Sequence, residues 1–271
     1  MVLLLTVLIA FASSDGSPDV GVLALVLVAM LTSQLAIGWS NDYLDREIDA
    51  EHQPTKPLPA GLVQARLVPP AVAAVLVVCA VAGVLLGAWP LLLLGIGTWC
   101  GLAYNLGLKQ TRFSAGPFIV AFTVLPIFVW TALDVYQGDF LALYGIGMTL
   151  PVAAHVANVL PDLESDRAQG RRTIAVALGR TRSVALTMAC QFAPLPLTAL
   201  SLPWLQYDGG VLVPSLLVYV IVSAAAGGLY WLGTGRAAEV WAFRCIAVAS
   251  VVFASGWLAS LQLPGAIGSA D

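Results

Sequence analysis

Eight apolar stretches, at 20–40, 67–86, 90–107, 113–133, 141–161, 183–203, 211–232 and 240–262, each approach the length of a membrane-crossing helix. Such a helix needs about 20 mostly apolar residues to cover a hydrocarbon core of about 30 Å. A ninth stretch, 2–13, is apolar but short. Ala12-Ser13-Ser14 resembles a cleavage site, but no Lys or Arg precedes the stretch, so it reads as a short or partly interfacial first span rather than a signal peptide. Only 10% of the chain is charged and 59% is hydrophobic, against about 25% and about 45–50% in soluble domains. So few charges cannot coat a soluble surface. The expected fold is all-α: one polytopic membrane domain of about nine helices around a central cavity, lying in a lipid bilayer. A soluble enzyme, a disordered chain and a disulfide-stapled domain are excluded, and a net charge of −3 excludes a strongly basic nucleic-acid binder. Cys79, Cys100, Cys190 and Cys245 lie singly in apolar runs and read as small hydrophobes.

Charge placement supports that count. All 12 basic residues fall after the second, fourth, sixth and eighth spans: Arg46, Lys56, Arg66; Lys109, Arg112; Arg167, Arg171, Arg172, Arg180, Arg182; Arg236, Arg244. The alternate loops and the tail carry Asp15, Asp19, Asp134, Asp139, Asp208 and Asp271. Because cytoplasmic loops collect Lys and Arg, the basic end is expected in the cytoplasm of a multi-pass cell-membrane protein and the C-terminus outside. Trp39, Trp89, Trp204 and Trp231 fall near the expected span ends, as an interfacial aromatic belt would.

Fifteen of the 27 charges sit in two windows, 42–56 and 162–182, each directly after a span. The first reads Asn41-Asp42-Tyr43-Leu44-Asp45-Arg46-Glu47-Ile48-Asp49 and the second Asn158-Val159-Leu160-Pro161-Asp162-Leu163-Glu164-Ser165-Asp166. Both carry N-x3-D-x3-D, 117 residues apart, and residues i, i+4 and i+8 share one face of a helix. This suggests two similar four-helix units, about 1–110 and 113–235, plus a final helix at 240–262. Pro161 predicts a helix break at the membrane edge. Neighbouring carboxylates repel unless a cation lies between them. Magnesium takes oxygen ligands, usually one or two carboxylates plus substrate phosphates. Asn41, Asp42, Asp45, Asp49, Asp162 and Asp166 are therefore candidate Mg²⁺ ligands, with the last four, Asp45, Asp49, Asp162 and Asp166, as the candidate catalytic acids. Lys56, Lys109, Arg112, Arg171 and Arg172 could neutralise a diphosphate. With an apolar cavity beside them, these groups describe a site for an isoprenoid diphosphate.

The two windows resemble the UbiA superfamily of intramembrane prenyltransferases, in the strings NDYLDREIDAEHQPTKPLPAG and NVLPDLESDRAQGRRTIAVALG. The resemblance implies nine helices around a cavity that opens laterally to the membrane, capped by two polar loops. It implies that Asn41, Asp45, Asp49, Asp162 and Asp166 hold Mg²⁺ and diphosphate, that Asn158 is the polar lead of the second motif, and that Lys56, Tyr104 and Lys109 belong to the site. Many members that prenylate hydroxybenzoate carry a further Arg-Thr just after the first motif, where this chain has Gln53-Pro54-Thr55, two residues shorter; such members also tend to place an arginine or another polar group in or before the first helix, and residues 1–13 carry no charge. Both departures bear on recognition of an aromatic carboxylate.

The implied reaction ionises an allylic diphosphate donor and passes the prenyl group to a small hydrophobic, aromatic or lipid acceptor. Tyr43, Tyr104, Phe118, Phe122 and His155 are the expected prenyl and acceptor pocket, since aromatic faces stabilise cations. His52 reads as a solvated loop residue, and Gly61, Gly170 and Gly179 as helix ends or turns. A terpene cyclase using the same metal site is the alternative reading. A transporter built on repeats is a remote one, because transporter polar sites lie near the midplane and these lie at one edge.

Overall fold

The computed structural model describes residues 2–14, 16–136 and 144–262. Asp15, Asp139, Asp271 and residues 141–143 of one expected span lie outside them. Thirteen α-helices follow one another in the described residues: α1 Val2–Ser13, α2 Val20–His52, α3 Val68–Leu86, α4 Ala88–Asn105, α5 Gly116–Ala132, α6 Tyr144–Gly147, α7 Thr149–Val159, α8 Leu163–Ala168, α9 Ile174–Leu178, α10 Arg180–Phe192, α11 Pro194–Ser201, α12 Gly209–Leu232 and α13 Gly235–Ser260. The described strands are one two-residue antiparallel pair, β1 Gln206–Tyr207 with β2 Leu261–Gln262. Five described helical segments are long and apolar enough to cross a bilayer: Val20–Glu51, Ala65–Leu86, Arg180–Ser201, Gly209–Leu232 and Gly235–Ser260. Val84, Leu85, Trp89 and Leu232 are more than 60% exposed, an apolar exterior suited to lipid. The protein is a multi-pass, all-α membrane protein.

Helix boundaries follow local chemistry. Asp19 caps α2 by accepting from the Val22 N–H at 2.8 Å, and Asp208 caps α12 by accepting from the Gly210 N–H at 2.8 Å. At 33 residues, α2 is about 50 Å long. Its apolar part reaches Asn41 after about 32 Å, so the first aspartate motif rides on the same helix just beyond a bilayer's thickness. The helix ends at Gln53, which leaves the helical region at φ −140°, ψ 59° where Pro54 follows. His52 is thus the last residue of α2 rather than part of a loop. Gly87, at φ 114°, turns α3 directly into α4.

Two expected spans are interrupted. The stretch at 141–161 holds α6 and α7, and the stretch at 183–203 holds α10 and α11, divided where Pro194 removes a backbone donor. Beyond Val159 the chain tightens into a 3₁₀ turn, Leu160–Asp162, around Pro161 before α8 begins. The N-x3-D-x3-D row is therefore continuous on α2 but broken in the second motif.

Polar and small residues lock the helices together. Ser33 of α2 bonds Thr98 of α4 at 2.7 Å, and the Asn105 amide donates to the Ile37 carbonyl at 2.8 Å and the Ser40 hydroxyl at 2.9 Å. This clamp fixes α2 to α4 immediately beneath the first motif. Between α12 and α13, Gly256 lies so close to Ser215 that an added Cβ would overlap its Cβ and Oγ. Such small-residue contacts replace the hydrophobic drive that lipid does not provide. The largest apolar cluster contains Phe128, Trp130, Tyr219, Phe253 and Trp257.

Gly256→Leu is expected to destabilise the protein in detergent by about 1–3 kcal/mol, the usual cost of overpacking. A thermal-unfolding midpoint equal to wild type's would contradict the close α12–α13 contact.

Candidate functional site

Where the long α2 leaves the apolar layer, two linkers bring cations to it. The α4–α5 linker brings Lys109, whose ammonium donates to both Asp45 carboxylate oxygens at 2.5 and 2.6 Å and to the Asn41 carbonyl oxygen at 3.3 Å. The α2–α3 linker folds Lys56 back onto the next turns of the same helix, at 2.8 Å from Asp49 and 3.5 Å from Asp42. Asp49 also accepts from the Gln53 amide at 3.4 Å. The i, i+4, i+8 row thus carries a cation on each of its two acids.

The second motif repeats the arrangement with different partners. Asp166 on α8 accepts from Arg171 at 3.0 Å, and Asp162 accepts from Arg236, at the start of α13, at 2.8 Å. The Arg172 N–H donates to the Gln110 carbonyl at 3.0 Å, which ties this loop to the Lys109 linker. Tyr104, at the end of α4, is in electrostatic range of both Asp45 and Asp166.

Burial sharpens the electrostatics. Burial raises the Asp166 carboxyl above the ordinary carboxylate range; the Arg171 guanidinium pulls the other way without cancelling that. At Lys56 burial works against the charge, but the hydrogen bond and charge of Asp49, then those of Asp42, outweigh it and hold the ammonium above its ordinary value.

Beneath this polar cap lies an apolar cavity of about 300 Å³, walled by α1, α5, α7 and α13. Phe118, Phe122, His155 and Asn158 line it, as do Leu5 and Ile9 of α1, so the short first helix completes its wall. His155 is 1% exposed, bonds Ser114 through Nε2 at 3.0 Å and packs its ring 4.6 Å from Phe118. Tyr104 stands behind the lining, edge-on to Phe118 at 5.1 Å. Tyr43 is not in the lining: its ring lies under the Arg46 guanidinium at 4.6 Å. Because α2 is helical throughout, position 43 is turned away from the face that carries 41, 45 and 49.

Of the basic residues expected around a diphosphate, Lys56, Lys109 and Arg171 touch motif acids. Arg112 and Arg172 are exposed and make no ion pair among the described residues; Arg112 lies over Phe113 at 5.0 Å. Arg236 is the partner that sequence reasoning missed. Its signal was present, because it is the first charge after the α12 span, but 74 residues separate it from Asp162. An open polar cleft of about 840 Å³ adjoins this pair and contains Asp162, Glu164, Arg180, Arg236 and Glu239.

A metal is tested here by its donors. The motifs supply carboxylate and amide oxygens, the hard ligands Mg²⁺ takes. No three acidic, histidine or cysteine side chains among the described residues form a cage. The donor set fits an ion that completes its shell with a ligand's phosphates, as Mg²⁺ commonly does.

A profile of the UbiA prenyltransferase family matches residues 2–246. The digeranylgeranylglyceryl phosphate synthase of Natronomonas pharaonis is 27% identical over 240 residues, covering 88% of this chain and 85% of that protein. The lycopene elongase/hydratase of Halobacterium salinarum is 29% identical over 241 residues, covering 80% of this chain and 82% of that one. The fold is that of a UbiA homologue from Aeropyrum pernix K1 (TM-score 0.71, 19% identity, 94% and 95% of the two chains covered). It is also that of a homologue from Archaeoglobus fulgidus bound to GPP and Mg²⁺ (TM-score 0.69, 15% identity, 93% and 94% covered).

Lys56→Met strips the cation from Asp49, whose side chain is 7% exposed, and is expected to cost about 1–3 kcal/mol of stability. The folded Lys56 titrates above 10.5, so its contribution is complete below that value and lost only as pH rises through the raised one. The loss should be equal at about pH 7 and pH 9 in thermal unfolding; a variant as stable as wild type would show that the pair contributes nothing.

Proposed function

The chain belongs to the UbiA prenyltransferase family, and from that premise we propose that its two aspartate motifs hold a magnesium–diphosphate donor over the apolar cavity. The protein is an intramembrane prenyltransferase. The observation that carries the site assignment is the pairing of Asp45, Asp49, Asp162 and Asp166, each with its own Lys or Arg, with Asn158, the lead of the second motif, in the lining of the apolar cavity.

The pairing suits a site that must accept and release a highly charged ligand. With the donor absent, each acid and each cation satisfies the other. Asn41, Asp45, Asp49, Asp162 and Asp166 would hold the metal ion through their oxygens, and Lys109, Lys56 and Arg171, which now pair with these acids, would turn to the phosphate oxygens. Each acid would then face the metal and each cation a phosphate, so no buried charge would be left without an opposite partner. Magnesium, when bound, acts as a Lewis acid that neutralises charge on the departing diphosphate.

The chain's own residues do the rest. Lys109, Lys56 and Arg171 stabilise negative charge as the C–O bond breaks. Phe118 and Phe122, backed by Tyr104, present ring faces to the allylic cation, each contributing about 0.5–2 kcal/mol. Asn158 marks the junction of polar cap and apolar cavity, where the reacting carbon stands. The cavity walls exclude water, so the cation meets the acceptor first. The acceptor is a hydrophobic molecule that enters from the membrane; relatives named for a glyceryl phosphate and for lycopene support a lipid. The basic end, with this site, lies on the cytoplasmic side and the C-terminus outside, by the distribution of Lys and Arg. The two halves, each presenting one motif, act as similar units around the cavity.

Asp45→Ala and Asp162→Ala are each expected to lower turnover to background, read by mass spectrometry of prenylated product from protein in detergent with Mg²⁺, while the unfolding midpoint stays measurable. Retention of the wild-type rate by either variant would remove that residue from the site. Excess chelator is expected to stop the reaction and Mg²⁺ to restore it; full activity in chelator would rule out the metal-dependent mechanism.

A further inference from the structure

We infer that the cavity is a ruler for the donor's hydrocarbon chain, set for about four isoprene units, and that Trp257 and Trp130 form its floor. This rests on the transferase reading above and adds to it a chain length and the residues that impose it.

The cavity's mouth and far end are both defined by named side chains. Asn158 and Phe118 line it beside the polar cap, and Trp130, Trp257 and Leu258 line it at the opposite end. Along α5 the lining runs from Phe118 to Trp130, and along α13 from Phe243 to Leu258. At 1.5 Å per residue these intervals are about 18 Å and about 22 Å. An extended chain advances about 1.1–1.2 Å per main-chain bond, so an isoprene unit with four such bonds covers about 4.5 Å. Four units fill about 18 Å and leave a few ångström at the mouth for the acceptor. A fifth unit would have to enter the floor.

That floor is built to stay in place. Trp257 and Trp130 are 5% and 4% exposed. The Trp257 indole N–H donates to the Tyr207 hydroxyl at 3.2 Å, and that hydroxyl is paired with Ser201 at 2.7 Å. Tyr207 is itself held by the β1–β2 pairing to Leu261, one turn beyond Trp257. On its other side Trp257 stacks on Phe253, with ring centroids 6.0 Å apart and planes 14° from parallel. A side chain with both its polar atom and its ring face engaged does not swing aside for one more prenyl unit. Ala254 lines the cavity one turn above Trp257, where a larger residue would raise the floor.

The test is a ratio of kcat/KM values between donors of adjacent length, two to six units, measured within one preparation so that the folded fraction cancels. Wild type is expected to favour four units over five by at least about tenfold, the scale on which apolar pockets discriminate. Trp257→Leu should raise the five-to-four ratio by about tenfold or more, and Ala254→Phe should lower the four-to-three ratio by a similar factor. Equal use of five- and six-unit donors by wild type, or ratios unchanged in both variants, would overturn the inference. Should no donor turn over, calorimetry with unreactive thiolodiphosphate analogues of each length decides. Length-dependent binding with the same ratios supports the ruler. Binding indifferent to length overturns the ruler alone, and no binding at any length overturns the transferase reading and the ruler with it.

Discussion

The constraint on which the structure depends is the compensation of charge at the edge of an apolar bundle. Four carboxylates are placed where a bilayer's hydrocarbon ends, and each has a Lys or Arg brought to it from another segment. Without those cations the acids of α2 would repel along one helical face, and the buried Asp49 and Asp166 would be stranded. Most of the architecture around the cap serves to deliver them. Pro54 ends α2 so that Lys56 can fold back, the α4–α5 linker carries Lys109 across, and α13 begins with Arg236 beside Asp162.

The same pairing links stability to reaction. A permanently satisfied ion pair would be inert; in the proposed reaction the acids would pass to the metal and their Lys and Arg partners to the diphosphate. The clamp of Asn105 onto Ile37 and Ser40 keeps α2 rigid beneath the motif during that exchange. The cavity is lined mainly by apolar side chains, with His155 and Asn158 toward its capped end. In the proposed reaction this lining would keep water from the cation.

Much of this was legible in the chain. Long apolar runs pointed to membrane helices, and the confinement of all 12 basic residues to alternate loops supported the span count. Two N-x3-D-x3-D strings four spans apart marked the residues of the candidate site. What the sequence hid was of two kinds. The interruptions at Met148 and Pro194 depend on how packed neighbours absorb a break, which periodicity does not record. The partners of the acids were the other: Lys109 and Arg171 are close in sequence to features already suspected, but Arg236 meets Asp162 only because α13 packs against the second motif. Tyr43 shows the opposite error. Its aromatic ring suggested the pocket, yet helical rotation puts it on another side of α2, under Arg46.

Calorimetric titration of an unreactive geranyl thiolodiphosphate into the detergent-solubilised protein, at a series of Mg²⁺ concentrations, tests most directly whether the paired acids and cations receive metal and diphosphate together. The account predicts that affinity for the analogue rises with Mg²⁺ and, by linkage, that the analogue raises affinity for Mg²⁺ by the same factor. Asp45→Asn should weaken that coupling. Binding of equal strength in excess chelator, or coupling unchanged in the variant, would contradict it.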